Sequence, residues 1–238
     1  MDLNQIVSRV AEGLTAIDAL DQGGRSNRRT GEPYLKGLKT MSEHEVTTGL
    51  VAWWPGAHPE DFGEGVEIVS ETPYPHSPRD RCDIVVREIN SGKPVWAIEV
   101  KHIALVGDNG KNNDYGVTKM LSPYLKDRSL RHDVIRLRDS GFGCSSATVV
   151  YSFSYSPQTV KEALSRYPMH SDRIRELDHV RESAQDEKGS YSIGPMVKLA
   201  THMLTTEGLV QATAEAEFSG AWAHPCGGMG IVAAWRVA

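Results

Sequence analysis

The chain has 238 residues, with 26 Lys and Arg against 31 Asp and Glu, a formal charge of −5 and 39% hydrophobic content. That composition belongs to an ordinary globular protein of one large or two small domains, and it excludes disordered, collagen-like and disulfide-stapled classes. The acidic balance excludes a global attraction to nucleic acid, so any phosphate-binding surface is a local patch.

Cys82, Cys144 and Cys226 are far apart and lack CxxC spacing, which argues against a thiolate zinc site and for a reducing cytoplasm. No signal-like apolar run and no stretch of membrane-spanning length is present, so a cytoplasmic protein with no membrane partner is expected.

Residues 2–20 place Leu3, Ile6, Val7, Val10, Leu14, Ile17 and Leu20 at helical spacing, ended by Gly23-Gly24. Arg25-Ser26-Asn27-Arg28-Arg29 is a short basic loop, equally a phosphate contact or a solvated turn. A second helix is predicted from Met41 to Trp54, stopping before Pro55. It opens with two overlapping capping boxes, Thr40-x-x-Glu43 and Ser42-x-x-Glu45. Acidic residues in a first turn ordinarily serve caps and the helix dipole. Glu43 also lies on the Val46/Leu50 stripe, whereas Glu45 lies off it, so Glu43 is the one placed to support a metal site.

Val66–Thr72 is predicted as the first strand, leaving through a rigid turn, PYPHSPRD. The stretch RCDIVVREINSGKPVWAIEVK then reads as two apolar strands joined at Asn90-Ser91-Gly92-Lys93. Glu99 and Lys101 share one face of the second strand, with Ile98 and Val100 on the other. A hairpin folded about Ser91 sets Asp83 across from Glu99, Cβ atoms about 5 Å apart; a slip of one residue separates them. Two carboxylates and a lysine at the end of buried strands call for a balancing charge, and hard oxygen ligands suit Mg²⁺. The plainer alternative is a solvated sheet face with Lys101 as an edge charge.

A polar loop, GDNGKNNDYG, follows. Val117–Arg138 is predicted as helix, interrupted at Pro123. It carries Lys119, Lys126, Arg128, Arg131, Arg136 and Arg138 against Asp127, Asp133 and Asp139. It is either a salt-bridged solvated helix or a nucleic-acid contact, made in the latter case by Lys119, Lys126, Arg128 and Arg131. Ala147–Tyr155 reads as a strand, Ser156-Pro157 as a helix start, 171–183 as a charged surface helix, and Pro195–Leu204 as a helix. Two strands around a Gly-rich turn end the chain, with His224 and Cys226 in a structural turn.

The order of elements, with Glu43 in SEHEVTTGL, Asp83 in RCDIVV, and Glu99 and Lys101 in AIEVK, is similar to the core of the PD-(D/E)xK nuclease superfamily. The resemblance covers roughly residues 40–155, and Cys82 stands where a proline usually precedes the aspartate. It implies an α/β protein with a restriction-endonuclease-like core, its central mixed sheet flanked by helices. To that core the chain adds an N-terminal helix and a C-terminal helical and strand extension. A single domain is expected: an arm over 1–39, the core over 40–155, and helices and a hairpin over 156–238 packed on it.

By the same resemblance Asp83, Glu99 and the Val100 carbonyl hold Mg²⁺ or Mn²⁺. Lys101 serves the attacking water, and Glu43 is an auxiliary ligand or positioner. The implied function is a metal-dependent endonuclease with nucleic acid, DNA first, as its partner; a homodimer would suit cleavage of both strands. The rivals are a non-catalytic nucleic-acid or partner-binding protein on the same fold, and a hydrolase of small phosphate compounds.

Overall fold

Helix α1 (Leu3–Leu20) begins where the Asp2 carboxylate accepts the Gln5 N–H at 2.9 Å, pairing a donor the helix leaves open. Its buried stripe is Leu3, Ile6, Val7, Val10, Leu14 and Ile17; Leu20, at the last position, is exposed. In α2 (Glu43–Ala57) only one of the two possible capping boxes forms. Ser42 accepts the Glu45 N–H at 3.2 Å and the Glu45 carboxylate accepts the Ser42 N–H at 2.7 Å, which leaves Glu43 free of capping. The helix does not stop before Pro55 as expected. Pro55 is exposed and near the end, so the ladder loses one solvent-side bond and continues to Ala57.

The computed structural model describes residues 1–27, 29–113, 115–166 and 184–238. The helix expected at 171–183, and Arg28 of the basic loop, lie outside the described residues.

Six strands form one sheet: β1 (Val66–Tyr74), β2 (Ser77–Glu88), β3 (Pro94–His102), β4 (Ser145–Phe153), β5 (Val210–Ala221) and β6 (Gly228–Val237). Their order is β1-β2-β3-β4-β6-β5, with β3 and β4 parallel and every other pair antiparallel. The chain is thus α/β, a mixed sheet flanked by helices. The rigid turn expected at PYPHSPRD shrinks to Pro75-His76, because Pro73 and Pro78 fall on strand edges that need no proline donor.

The single helix expected at 117–138 is two, α3 (Tyr115–Leu121) and α4 (Leu130–Arg138), with Pro123 in the loop between them. Helices α5 (Pro157–Arg166) and α6 (Gly194–Thr206) follow. The C-terminal hairpin completes the sheet, β6 lying against β4. Helices α4 and α6 cover one face, where Lys101 meets Asp133 and Trp235 donates to Thr201, and α3 packs on both of them. Helices α1 and α2 pack together and cover the other face. Among the described residues no helix is long and apolar enough to cross a membrane.

Candidate active site

Strands β2 and β3 pair only as far as Ile84 and Ile98. Beyond that point β2 stays with β1 to Ser77, and β3 stays with β4 to His102, so the sheet forks. The pairs Ile84 with Ile98 and Val85 with Ala97 describe a hairpin centred on Ser91, whose next step sets Asp83 opposite Glu99. Parting strands leave β3 donors without ladder partners. Asp83 supplies one, its Oδ2 accepting the Val100 N–H at 2.7 Å. In a strand the N–H and C=O of one residue point the same way, so the Val100 carbonyl is also directed into the fork.

Glu99 is only 3% exposed; its Oε1 accepts the Tyr74 hydroxyl and its Oε2 lies 2.7 Å from Arg136 Nη2. Lys101, on the same face, places its ammonium 2.8 Å from Asp133 Oδ2, and Asp133 Oδ1 lies 3.3 Å from Arg136. Glu43 arrives from the other layer, at the far end of β3. Its Oε1 accepts the His102 N–H at 3.0 Å and the Lys119 ammonium at 2.7 Å. Lys119 reaches it because α3 packs closely at Gly116, its second residue, where any Cβ would collide with the Ala104 carbonyl just past β3. Across β1 from Asp83, between the pairs Ser70 with Ile84 and Thr72 with Cys82, Glu71 adopts a φ of 53°, a left-handed conformation rare for such a residue.

Sequence reasoning passed over Asp133 and Arg136 as part of a charged helix face. A signal was present: Leu130, Val134 and Leu137 are buried, and Asp133 sits on that same stripe, where a carboxylate needs a partner.

The balance of charge is uneven. Burial pushes Asp83 up to about 6, Glu43 and Asp133 add to it, and the Val100 N–H offsets part. Burial and then Asp83 drive the Glu99 carboxyl well above the usual range, against the pull of Arg136. Burial works against the Lys101 charge, yet Asp133 and Glu43 outweigh it and hold the ammonium above its ordinary value. Burial and Glu99 likewise keep the Tyr74 phenol protonated as a donor.

Among the described residues no three His, Cys, Asp or Glu side chains gather closely enough to hold a metal by themselves. The fork offers two carboxylates and a carbonyl, the kind of partial set that Mg²⁺ completes with waters and substrate phosphate. Two buried polar atoms beside Glu99 lack a protein partner. They are Arg136 Nε and Thr148 Oγ1, the latter in register with Glu99 across β3 and β4. Such atoms are served by water or a ligand oxygen. The residues present fit a divalent cation.

Of the cations expected to meet nucleic acid, Lys119 is taken by Glu43, and Arg131 lies 2.7 Å from Glu207. Lys126 and Arg128 are exposed, and neither is in an ion pair among the described residues. Arg25 of the basic loop closes on Asp21 at 2.6 Å and is structural. Compared with protein-family models, with curated proteins and with solved structures, the chain matches none.

Proposed function

We propose that this chain is a metal-dependent nuclease of the PD-(D/E)xK type, on a restriction-endonuclease-like core, which hydrolyses phosphodiester bonds in DNA. One observation carries the reading: just past the last β2–β3 pair, Ile84 with Ile98, the Asp83 and Glu99 carboxyls interact at the fork, with Lys101 two residues on along the same strand face. Bound Mg²⁺ or Mn²⁺ supplies positive charge against the reacting phosphate and makes water more acidic. Asp83, Glu99 and the Val100 carbonyl would hold it. Lys101, whose ammonium lies 2.8 Å from Asp133 and whose pKa is held above its ordinary value, would orient the attacking water and offset charge on the phosphoryl oxygens. Glu43 positions the end of β3 and Lys119.

A second reading, a catalytically silent binding protein on the same fold, is favoured by a specific observation. Both Glu99 oxygens and the Lys101 ammonium already have protein partners. The test is cleavage of a DNA substrate in Mg²⁺ or Mn²⁺ by wild type and Asp83→Asn. Asparagine keeps an oxygen for the Val100 N–H, so the fork stays closed while the charge goes. Cleavage by wild type that falls to background in the variant supports the nuclease. Metal-independent or unchanged cleavage in a clean variant preparation overturns the site, and binding of DNA without cleavage favours the second reading.

A further inference from the structure

The segment between α3 and α4 is a closed loop that turns its apolar side chains outward. Ser129, fully buried, donates its hydroxyl to the Ser122 carbonyl at 2.8 Å and so ties the neck. The Ser122 hydroxyl donates to Asp127 and accepts the Tyr124 N–H at 3.2 Å. Arg131 adds a brace, donating to the Pro123 carbonyl at 3.4 Å. Arg128 sits at φ 50°, a conformation that a non-glycine residue keeps only when its surroundings hold it. On this frame Tyr124 is 59% exposed and Leu125 46%, with Lys126 and Arg128 exposed beside them. At the start of α3, Tyr115 is 55% exposed.

Each tyrosine ring has an ammonium over it: Lys126 lies 5.4 Å from the Tyr124 ring centre, and Lys119 lies 5.8 Å from that of Tyr115. A single exposed tyrosine needs no explanation. Two such tyrosine–cation pairs flank α3, one at its start and one on the braced loop after its end, in a protein of net charge −5. Each pair is linked to residues of the site. Lys119 joins the Tyr115 ring to Glu43, and Ser129 precedes α4, so Asp133 follows the neck after one helical turn, about 6 Å along the axis.

We propose that Tyr115 and Tyr124 form a stacking platform for unpaired bases, and that Lys126 and Arg128 guide the backbone of that single strand toward the fork. The inference rests on the nuclease reading for the place of reaction. Cations alone would accept any polyanion, duplex included. Exposed rings change the preference, because a duplex stacks its bases on each other and only an unpaired base offers its face to a tyrosine. The substrate class is therefore nucleic acid with a single-stranded segment beside the scissile bond: a flap, a gap or a free strand.

Fluorescence anisotropy of the full chain in EDTA tests this with labelled oligothymidylate, oligouridylate and a duplex, each about 20 units long, above the ~4–16 nucleotides one strand-binding fold covers. Oligothymidylate should bind more tightly than the duplex. Tyr124→Ala should weaken single-strand binding roughly 5- to 100-fold, and Tyr124→Phe, which keeps the ring, by no more than about twofold. Lys126→Ala should lower the slope of log affinity against log salt by about 0.7. Tighter binding of oligouridylate would keep the platform and make its ligand RNA. Duplex binding as tight as single-strand binding, or single-strand affinity unchanged by both Tyr115→Ala and Tyr124→Ala, would overturn it. The two readings fail separately. Strand binding that Asp83→Asn retains, with no cleavage by wild type, removes the nuclease and keeps the platform; cleavage with tyrosine-independent binding does the reverse.

Discussion

The two faces of β3 bury charge in opposite ways. On one, Glu99 and Lys101 meet Asp133 and Arg136, with Asp83 across the fork and the Glu43–Lys119 pair at the strand's end. The three carboxyls of Asp83, Glu99 and Asp133 there face two cations, Lys101 and Arg136, while Glu43 and Lys119 pair with each other. On the other face, Lys39 is 4% exposed and has no carboxylate within ion-pair distance among the described residues. Its ammonium donates to the Val106 carbonyl and the Tyr155 hydroxyl and lies over the Tyr155 and Phe153 rings, at 4.7 and 5.5 Å. Beside it His102 stacks on Tyr151 with ring centres 4.7 Å apart, and burial holds its imidazole down to about 3, hence neutral. The Lys39 face balances its charge with hydrogen bonds, rings and neutral groups, although His102 Nε2 and the Tyr151 hydroxyl there lack a protein partner. The Glu99 face holds one carboxyl more than it has cations, and burial meets that excess by raising the Glu99 and Asp83 carboxyls toward the protonated form; a cation from outside is the other way to balance it.

The largest break in the comparison comes from the buried pair. Lys101→Met leaves Asp133 buried with only the longer contact to Arg136, and breaking such a pair costs about 3–5 kcal/mol. Urea unfolding measures it, and Lys101→Met combined with Asp133→Leu should recover most of the loss without restoring cleavage. A single variant as stable as wild type would mean that the pair holds nothing. For the same reason Lys101→Ala confounds chemistry with folding, and Asp83→Asn is the cleaner probe of the site.

On the opposite face the prediction is a pH slope. Burial lowers Lys39 from 10.5 to about 8. Between those values the unfolded chain binds a proton that the folded chain has released, so stability rises with pH across the window, by about 3 kcal/mol in all. Cys226 and Asp108 face the ammonium and pull the other way. Denaturation of wild type and Lys39→Met from pH 8 to 10.5 isolates the term: the difference between them should close as pH rises. A constant difference would assign the slope to other groups.

Much of the candidate site was legible in the chain because it depends on local rules. Strand alternation and a short turn determine which residues oppose each other, so Asp83 and Glu99 could be paired through Ser91 before any tertiary contact was known. Glu43 could be told from Glu45 by its stripe, and in the structure it is Glu45 that closes the capping box. The partners that close the site were not legible. Asp133 and Arg136 reach β3 only because the crossover lays α4 on that face, and Lys119 reaches Glu43 across 76 residues. The same long-range pairing explains why a helix that looks basic in sequence shows few free cations when folded.

A smaller effect separates function from stability at Asp83. Its pKa rises from 3.8 to about 6, so between those values the folded chain keeps a proton that the unfolded chain has lost. Stability therefore falls as pH rises through that window, by about 2–3 kcal/mol. Asp83→Asn lacks the titration. Without metal it should be more stable than wild type at pH 8 and closely matched at pH 4, by thermal melting. Added Mn²⁺ should stabilise wild type only. Equal melting of the two proteins at pH 8 would place the Asp83 carboxylate in a better solvated site than the fork describes.

Arg136 sharpens the comparison most finely, because it is the group nearest to serving as the missing cation. Its guanidinium lies against Glu99 and over the Tyr74 ring, at 5.4 Å, yet its Nε finds no partner. A guanidinium that met every need of Glu99 would be a sufficient counter-ion, and the face would be as balanced as the one that buries Lys39. One that only holds the place competes with a divalent ion for the same carboxylate. Arg136→Gln removes the competing charge while keeping a donor within reach, so Mn²⁺ affinity by calorimetry should rise about tenfold, equivalent to about 1.4 kcal/mol. Affinity that stays level or falls would show that Arg136 belongs to the finished structure, and that the excess charge on this face is already balanced from within.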